Sequence, residues 1–188
     1  MRPRLIVLLG LPLLMIVLSC SKKEVKPSVQ LFTNTDMETG ANSPFGWWFN
    51  GNGSSAVFVW SNQAYSGTHS LEITSPTSLA DVSYWGQSVT QNIPYGSNLT
   101  LNVRIKGNVT GAGIAVAIAC LNASSTSQAQ QFSTTQGTYT INGNFDWTSY
   151  TVSLSGVHSD ITEIRTYLML LPDAAGTAYF DDVTLTAN

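Results

Sequence analysis

"LTLNVRIKGNVTGAGIAVAIACLNA", residues 99–123, decides the fold class. Leu101, Val103 and Ile105 alternate with Asn102, Arg104 and Lys106. A period of two is the mark of a strand with one face in a core and one in water. In "GIAVAIA", Ile114, Val116 and Ile118 point to the core, and Ala115, Ala117 and Ala119 form a strip of small residues on the other face. "GNVTGAG" between the two runs follows a strand and precedes a strand, so it reads as a hairpin turn rather than a phosphate loop. Cys120 lies in the apolar run and reads as a small buried residue, not a nucleophile.

The same grammar extends outward. Strand-like runs are "VQLFTNTDME", "AVFVWSN", "HSLEITS", "DVSYWGQSVTQNI", "TYTI", "TSYTVSLSG", "EIRTYLMLL" and "AYFDDVTLT". Turn clusters such as "GANSPFG", "NGNGSS", "PYGSN", "NGNFD" and "LPDAAG" separate them. No heptad or useful amphipathic helix follows Cys20. Many short strands with polar turns predict a single all-β domain, an antiparallel sandwich of two sheets. In "EIRTYLMLL", Ile164, Leu168 and Leu170 point inward, and Arg165, Tyr167 and Met169 outward. The alanine strip beside Arg and Tyr would then floor a shallow groove. In "GTAYFDDVTL", residues 176–185, strict alternation puts Asp181 on one buried face with Tyr179, Val183 and Leu185, and Asp182 outside. Neighbours on opposite faces cannot easily share a substrate, which argues against a catalytic acid pair.

Composition narrows the function. Only 10% of the 188 residues are charged and the net charge is −3, so there is no basic footprint for nucleic acid. The start, "MRPRLIVLLGLPLLMIVLSC", sets Arg2 and Arg4 before an apolar run ending at Leu18, then Ser19 and Cys20. That is an export signal, with an apolar run short for a bilayer span of roughly 20 residues. "VLSC" resembles a bacterial lipobox, which implies lipidation of Cys20 after removal of residues 1–19 and a polar tether over 20–29. The expected protein is exported and held at the cell envelope, at the outer membrane, by lipid alone. Residues 30–188 form the domain.

The order of motifs carries a further resemblance. "NTDMETG…PFGWW", "AYSGTHSLEI", "WGQSVTQNIPYGSNLTLNVRIKG", "FDWTSYTVSL" and "GTAYFDDVTL" together resemble carbohydrate-binding module families four, nine and twenty-two, from Asn34 to Leu185. The resemblance implies a galactose-binding-like jelly roll that binds glycan without catalysis and that accompanies a partner glycoside hydrolase. It also implies a structural calcium (Ca2+) where the first and last strands meet. By position its ligands are Asp36, Glu38, Asp181 and carbonyls of the "SGTHS" turn around Gly67 and His69. Calcium takes oxygen ligands of these kinds, and a cation offsets the cost of a buried carboxylate.

Sugars are held by aromatic rings against their C–H faces and by polar groups on their hydroxyls. Trp47 and Trp147 fall where the resembled families keep a core aromatic, and read as packing. Trp60, Tyr84, Trp85, Gln87, Asn102, Arg104, Arg165 and Tyr167 are the expected carbohydrate contacts, with Tyr167, Arg104 and Arg165 as an outward cluster. The alternative is a structural or protein-interaction module of the envelope with the same fold and no sugar ligand. An enzyme is not expected: there is no G-x-S-x-G, no zinc-spaced His pair, and Glu72, Asp81, Asp146 and Glu163 are not set apart as a glycosidase pair.

Overall fold

In the computed structural model, residues 27–51, 53–125 and 127–188 are described; the leader, Cys20 and most of the tether lie outside them. Along the chain come β1 (Val29–Gln30), β2 (Trp48–Asn50), β3 (Val57–Ser61), β4 (Ser70–Ser75), β5 (Ser83–Val89), β6 (Leu99–Asn122), β7 (Gln131–Thr134), β8 (Ile141–Leu154), β9 (Ile161–Leu170) and β10 (Ala175–Ala187). All pairings among them are antiparallel. No helix occurs among the described residues.

The long strand β6 organises both layers. Its first half lies between β8 and β10, and β10 leads on to β4 and β3, giving sheet I in the order β8–β6–β10–β4–β3. Its second half lies between β7 and β9, and β9 leads on to β5 and β2, giving sheet II in the order β7–β6–β9–β5–β2. The segment 107–113 is therefore not a hairpin. It is a bend that carries one strand from sheet to sheet, and the two halves never pair with each other. Gly111 and Gly113 make it, at φ +74° and +84°. A side chain on either would also run into the carbonyl of Asp173 or Ile141.

Between the layers, Leu101, Val103, Ile105, Ile114, Val116, Ile118, Ile164, Leu168 and Leu170 are buried together, as alternation required. Cys120 is among them, and burial pushes its thiol up to about 11, which leaves it inert as a nucleophile.

Strand β10 departs from simple alternation. Asp181 lies opposite Arg104 and Thr184 opposite Asn102, so Asp182 and Val183 together face a single residue, Val103. This is a β-bulge, with Asp182 at φ +46°. The extra residue reverses the parity. Tyr179 and Asp181 belong to the outer face, whereas Val183 and Leu185 belong to the core. The expected common face of all four does not exist. Asp181 is nonetheless 0% exposed, because the turn at Tyr65–Ser66 lies over it.

Candidate functional site

Cross-strand register builds the outer face of sheet II. Thr134, Ala117, Tyr167, Gly86 and Trp48 lie in one row across five strands. At the usual strand spacing the row runs roughly 19 Å. On one side of it lie Phe132, Ala119, Arg165 and Ser88, on the other Ala115, Met169, Tyr84 and Asn50. The indole of Trp48 lies over Gly86, where an added Cβ would come within 2.6 Å of the ring. Trp48 meets Tyr84 and Tyr167 edge to face, at 5.8 and 6.2 Å between centroids, and the two tyrosines are 5.0 Å apart. Next to them a depression of about 480 Å³ is lined by Ala119, Leu121, Ser127, Gln128, Ala129, Phe132 and Tyr167. The groove floor is alanine and leucine, its walls aromatic.

Arg165 sits in this groove but is engaged. Its Nε and Nη2 donate to the two Glu163 oxygens at 2.6 and 2.8 Å. Glu163 beside it raises the guanidinium further above its ordinary range, and Arg165 in turn draws the Glu163 carboxyl down. The pair is a fixed, neutralised hydrogen-bonding edge rather than a free cation.

Several residues expected at a sugar site are elsewhere. Trp85 is 2% exposed, packs on Phe49 and Phe58, and donates its indole N–H to the Glu72 carbonyl at 3.0 Å. It and Tyr84 point to opposite sides, and Tyr84 is the outward one. Gln87 is 4% exposed, and its amide both donates to and accepts from the Thr33 main chain. Neither Trp85 nor Gln87 has surface to offer. Trp60 donates to the Met37 carbonyl and stacks on His69 at 4.3 Å. Arg104 and Asn102 are on sheet I, so the expected cluster of Arg104 with Arg165 and Tyr167 is split between the two layers. Asn102 accepts from the Thr151 hydroxyl. Trp48 had no assigned role in the sequence; its position opposite a strand glycine is the signal that could have found it.

Trp147 is also not a core residue. It is half-buried on the outside of sheet I between Tyr65 and Tyr179, because Lys106 falls where the β6–β8 register shifts.

The residues implied for calcium gather around the 65–69 turn. Asp181 Oδ2 accepts from the N–H groups of Tyr65 and Ser66, and its Oδ1 from Asp182 N–H. Burial raises this carboxyl, against the opposing pull of the N–H groups of Ser66, Asp182 and Tyr65. Glu38 accepts from the N–H groups of Thr68 and His69 and from the Thr68 hydroxyl. A Cβ on Gly67, at φ +63°, would strike the Glu38 carboxylate, so only glycine lets the turn wrap it. Asp36 is exposed and caps Glu38 N–H at 3.4 Å. Among the described residues no three His, Cys, Asp or Glu side chains converge as a metal cage. Asp181 Oδ1 and Glu38 Oε2 each accept a single hydrogen bond and keep a further lone pair, so a cation completed by main-chain carbonyls is compatible with the donor set.

The CBM22-1 xylan-binding domain of Xyn10C from Paenibacillus barcinonensis superposes at TM-score 0.54 and 16% identity, over 87% of this chain and 97% of that one. TmCBM61, solved with β-1,4-galactotriose, gives 0.54 at 17% identity, over 84% and 97%. The fold is that of the carbohydrate-binding modules. As a module it also recurs within larger chains. Tailspike protein 4 of bacteriophage CBA120 matches at TM-score 0.62 and 12% identity, and this chain spans 21% of its length. The α-L-arabinofuranosidase MgGH51 matches at 0.62 and 13%, with 26% of its length spanned. No family model matches the sequence, and no curated protein matches it.

Proposed function

We propose that this protein binds a neutral glycan chain on the outer face of sheet II and catalyses nothing there. The observation that carries the reading is Trp48 laid over Gly86 with Tyr84 and Tyr167 at its edges. The indole N–H of Trp48 donates to no group among the described residues. An aromatic surface with an uncommitted donor suits sugar C–H faces and hydroxyls. The modules of the same fold support it, since two are named for xylan or were solved with a galactotriose. A polyanion is disfavoured, because the described residues hold three Lys or Arg against ten Asp or Glu.

The leader supports a lipid anchor at Cys20, and with it a glycan-capturing role at the envelope beside a glycoside hydrolase; loss of fatty-acid labelling in Cys20→Ser would test the anchor. Calcium shared by Glu38, Asp181 and turn carbonyls would tie the 65–69 turn to β10.

A glycan array and polysaccharide-affinity gels on the protein, repeated with Trp48→Ala and Tyr167→Ala, test the binding. Retardation by at least one polysaccharide, weakened in both variants, is expected. Absence of binding to every glycan would leave a structural or interaction module. The exposed apolar residues Phe45, Phe49 and Val57 beside edge strands β2 and β3 would then be the surface to pursue.

A further inference from the structure

Five tryptophans divide by what their indole N–H does. Those of Trp47, Trp60 and Trp85 donate to the carbonyls of Asn34, Met37 and Glu72, so these rings are fixed parts of the scaffold. Those of Trp48 and Trp147 donate to nothing among the described residues. The two are on opposite faces of the sandwich, and each is gathered with two tyrosines. Trp147 meets Tyr65 at 6.0 Å and Tyr179 at 6.4 Å, on the outside of sheet I. The main chain of the Tyr65–Ser66 turn covers the Asp181 carboxylate on that side, yet the Tyr65 residue is 44% exposed.

The surroundings repeat the chemistry of the other face. Arg104 lies over the Tyr65 ring at 4.5 Å and has no acidic partner among the described residues. It is therefore a positioned donor whose charge is spread over a ring rather than bound to a carboxylate. Burial, with the Glu72 charge nearby, raises the Tyr179 hydroxyl, which keeps it a neutral donor. Beyond the rings the face continues as flat rows of hydroxyls and amides: Thr184, Asn102 and Thr151, then Thr186, Thr100 and Ser153.

We infer that the outer face of sheet I is a second glycan-binding surface, with Trp147, Tyr65 and Tyr179 as the platform and Arg104 as its hydroxyl donor. Its occupant is an uncharged saccharide: the rings suit C–H faces, the free N–H and guanidinium suit hydroxyls, and ten carboxylates among the described residues repel a polyanion. The inference rests on the glycan reading of sheet II only for the choice of probes.

Titration calorimetry and affinity gels on the full chain, with xylohexaose, β-1,4-galactotriose and the polysaccharides retained above, test it. Trp48→Ala should keep part of the binding, and Trp48→Ala with Trp147→Ala should lose it. Tyr65→Ala, on an exposed turn, repeats the loss where Trp147→Ala disturbs folding. One ligand per chain, unchanged in Trp147→Ala and Tyr65→Ala, would overturn the second surface and leave the first standing. No binding by the wild type to any probe would overturn both. Sedimentation showing a dimer that Trp147→Ala splits, with glycan binding intact, would make this face an interface between copies and also overturn the proposal.

Discussion

Replacing Asp181 by alanine is expected to lower the stability of the fold by about 3–5 kcal/mol. Its carboxylate accepts three main-chain N–H groups: Tyr65 at 2.7 Å, Ser66 at 3.1 Å and Asp182 at 2.7 Å. A bond to a charged acceptor contributes roughly 1.5–3 kcal/mol, so three set an upper bound well above the expectation. Two terms reduce it. The Tyr65 and Ser66 groups sit on a half-exposed turn that can open to water, and removing the carboxylate also removes the burial that raises its pKa. Since a domain is stable by only about 5–15 kcal/mol, the variant should fold but be marginal. Asp182→Gly is the control. It loses one bond, from the Ser66 hydroxyl at 2.8 Å, and gains by relieving a positive φ, so its net change should stay within about 1 kcal/mol. Urea titration followed by tryptophan fluorescence reads both, provided the slope is unchanged. Equal losses in the two variants, or a loss below about 1 kcal/mol in Asp181→Ala, would refute the assignment of Asp181 as the tie between the turn and β10.

Burial raises the Glu38 carboxyl, but the Thr68 hydroxyl and the N–H groups of Thr68 and His69 outweigh it and bring it to about 2. Because this lies below the unfolded value of about 4.3, its contribution is full above that pH and lost as pH falls toward 2; Glu38→Gln should flatten the urea midpoint over that window. If calcium joins Glu38 and Asp181, a chelator lowers the melting temperature of the wild type and not of Asp181→Ala, whereas identical melts with and without chelator would end the calcium proposal. Gly86→Ala should push Trp48 off its seat and weaken glycan binding roughly tenfold, the scale of one aromatic contact, with a stability change within about 1 kcal/mol.

Much of the fold was legible because period-two patterning reports directly on which face is dry. Leu101, Val103, Ile105, Ile164 and Leu168 are where alternation put them. Legibility failed where the backbone left ideal geometry. "VQLFTNTDME" yields only Val29–Gln30 as strand, since Asn34 and Met37 take φ +49° and +61°. The bend at Gly111 and Gly113 looked like a hairpin because glycines mark both, and only long-range pairing tells them apart. Asp182 breaks parity without any glycine to announce it. For the site, outwardness of Tyr167 and Arg165 was readable, but which sheet held Arg104 was not, because alternation assigns a face within a strand and says nothing of the layer.

That distinction between face and layer bears on how the two proposed surfaces would meet a polysaccharide. Trp48 and Trp147 are on the outsides of two sheets whose packed faces are about 10 Å apart. A single extended chain cannot lie on both faces, so the two surfaces would not reinforce each other on one strand of polymer. They would instead hold separate chains, and avidity would appear only where chains are dense enough for a second to be within reach. The wild type should therefore thicken or cloud a concentrated soluble polysaccharide at protein concentrations where Trp48→Ala and Trp147→Ala each bind without cross-linking. Cross-linking that survives in either variant would mean that bridging arises from self-association and not from two glycan faces on one domain.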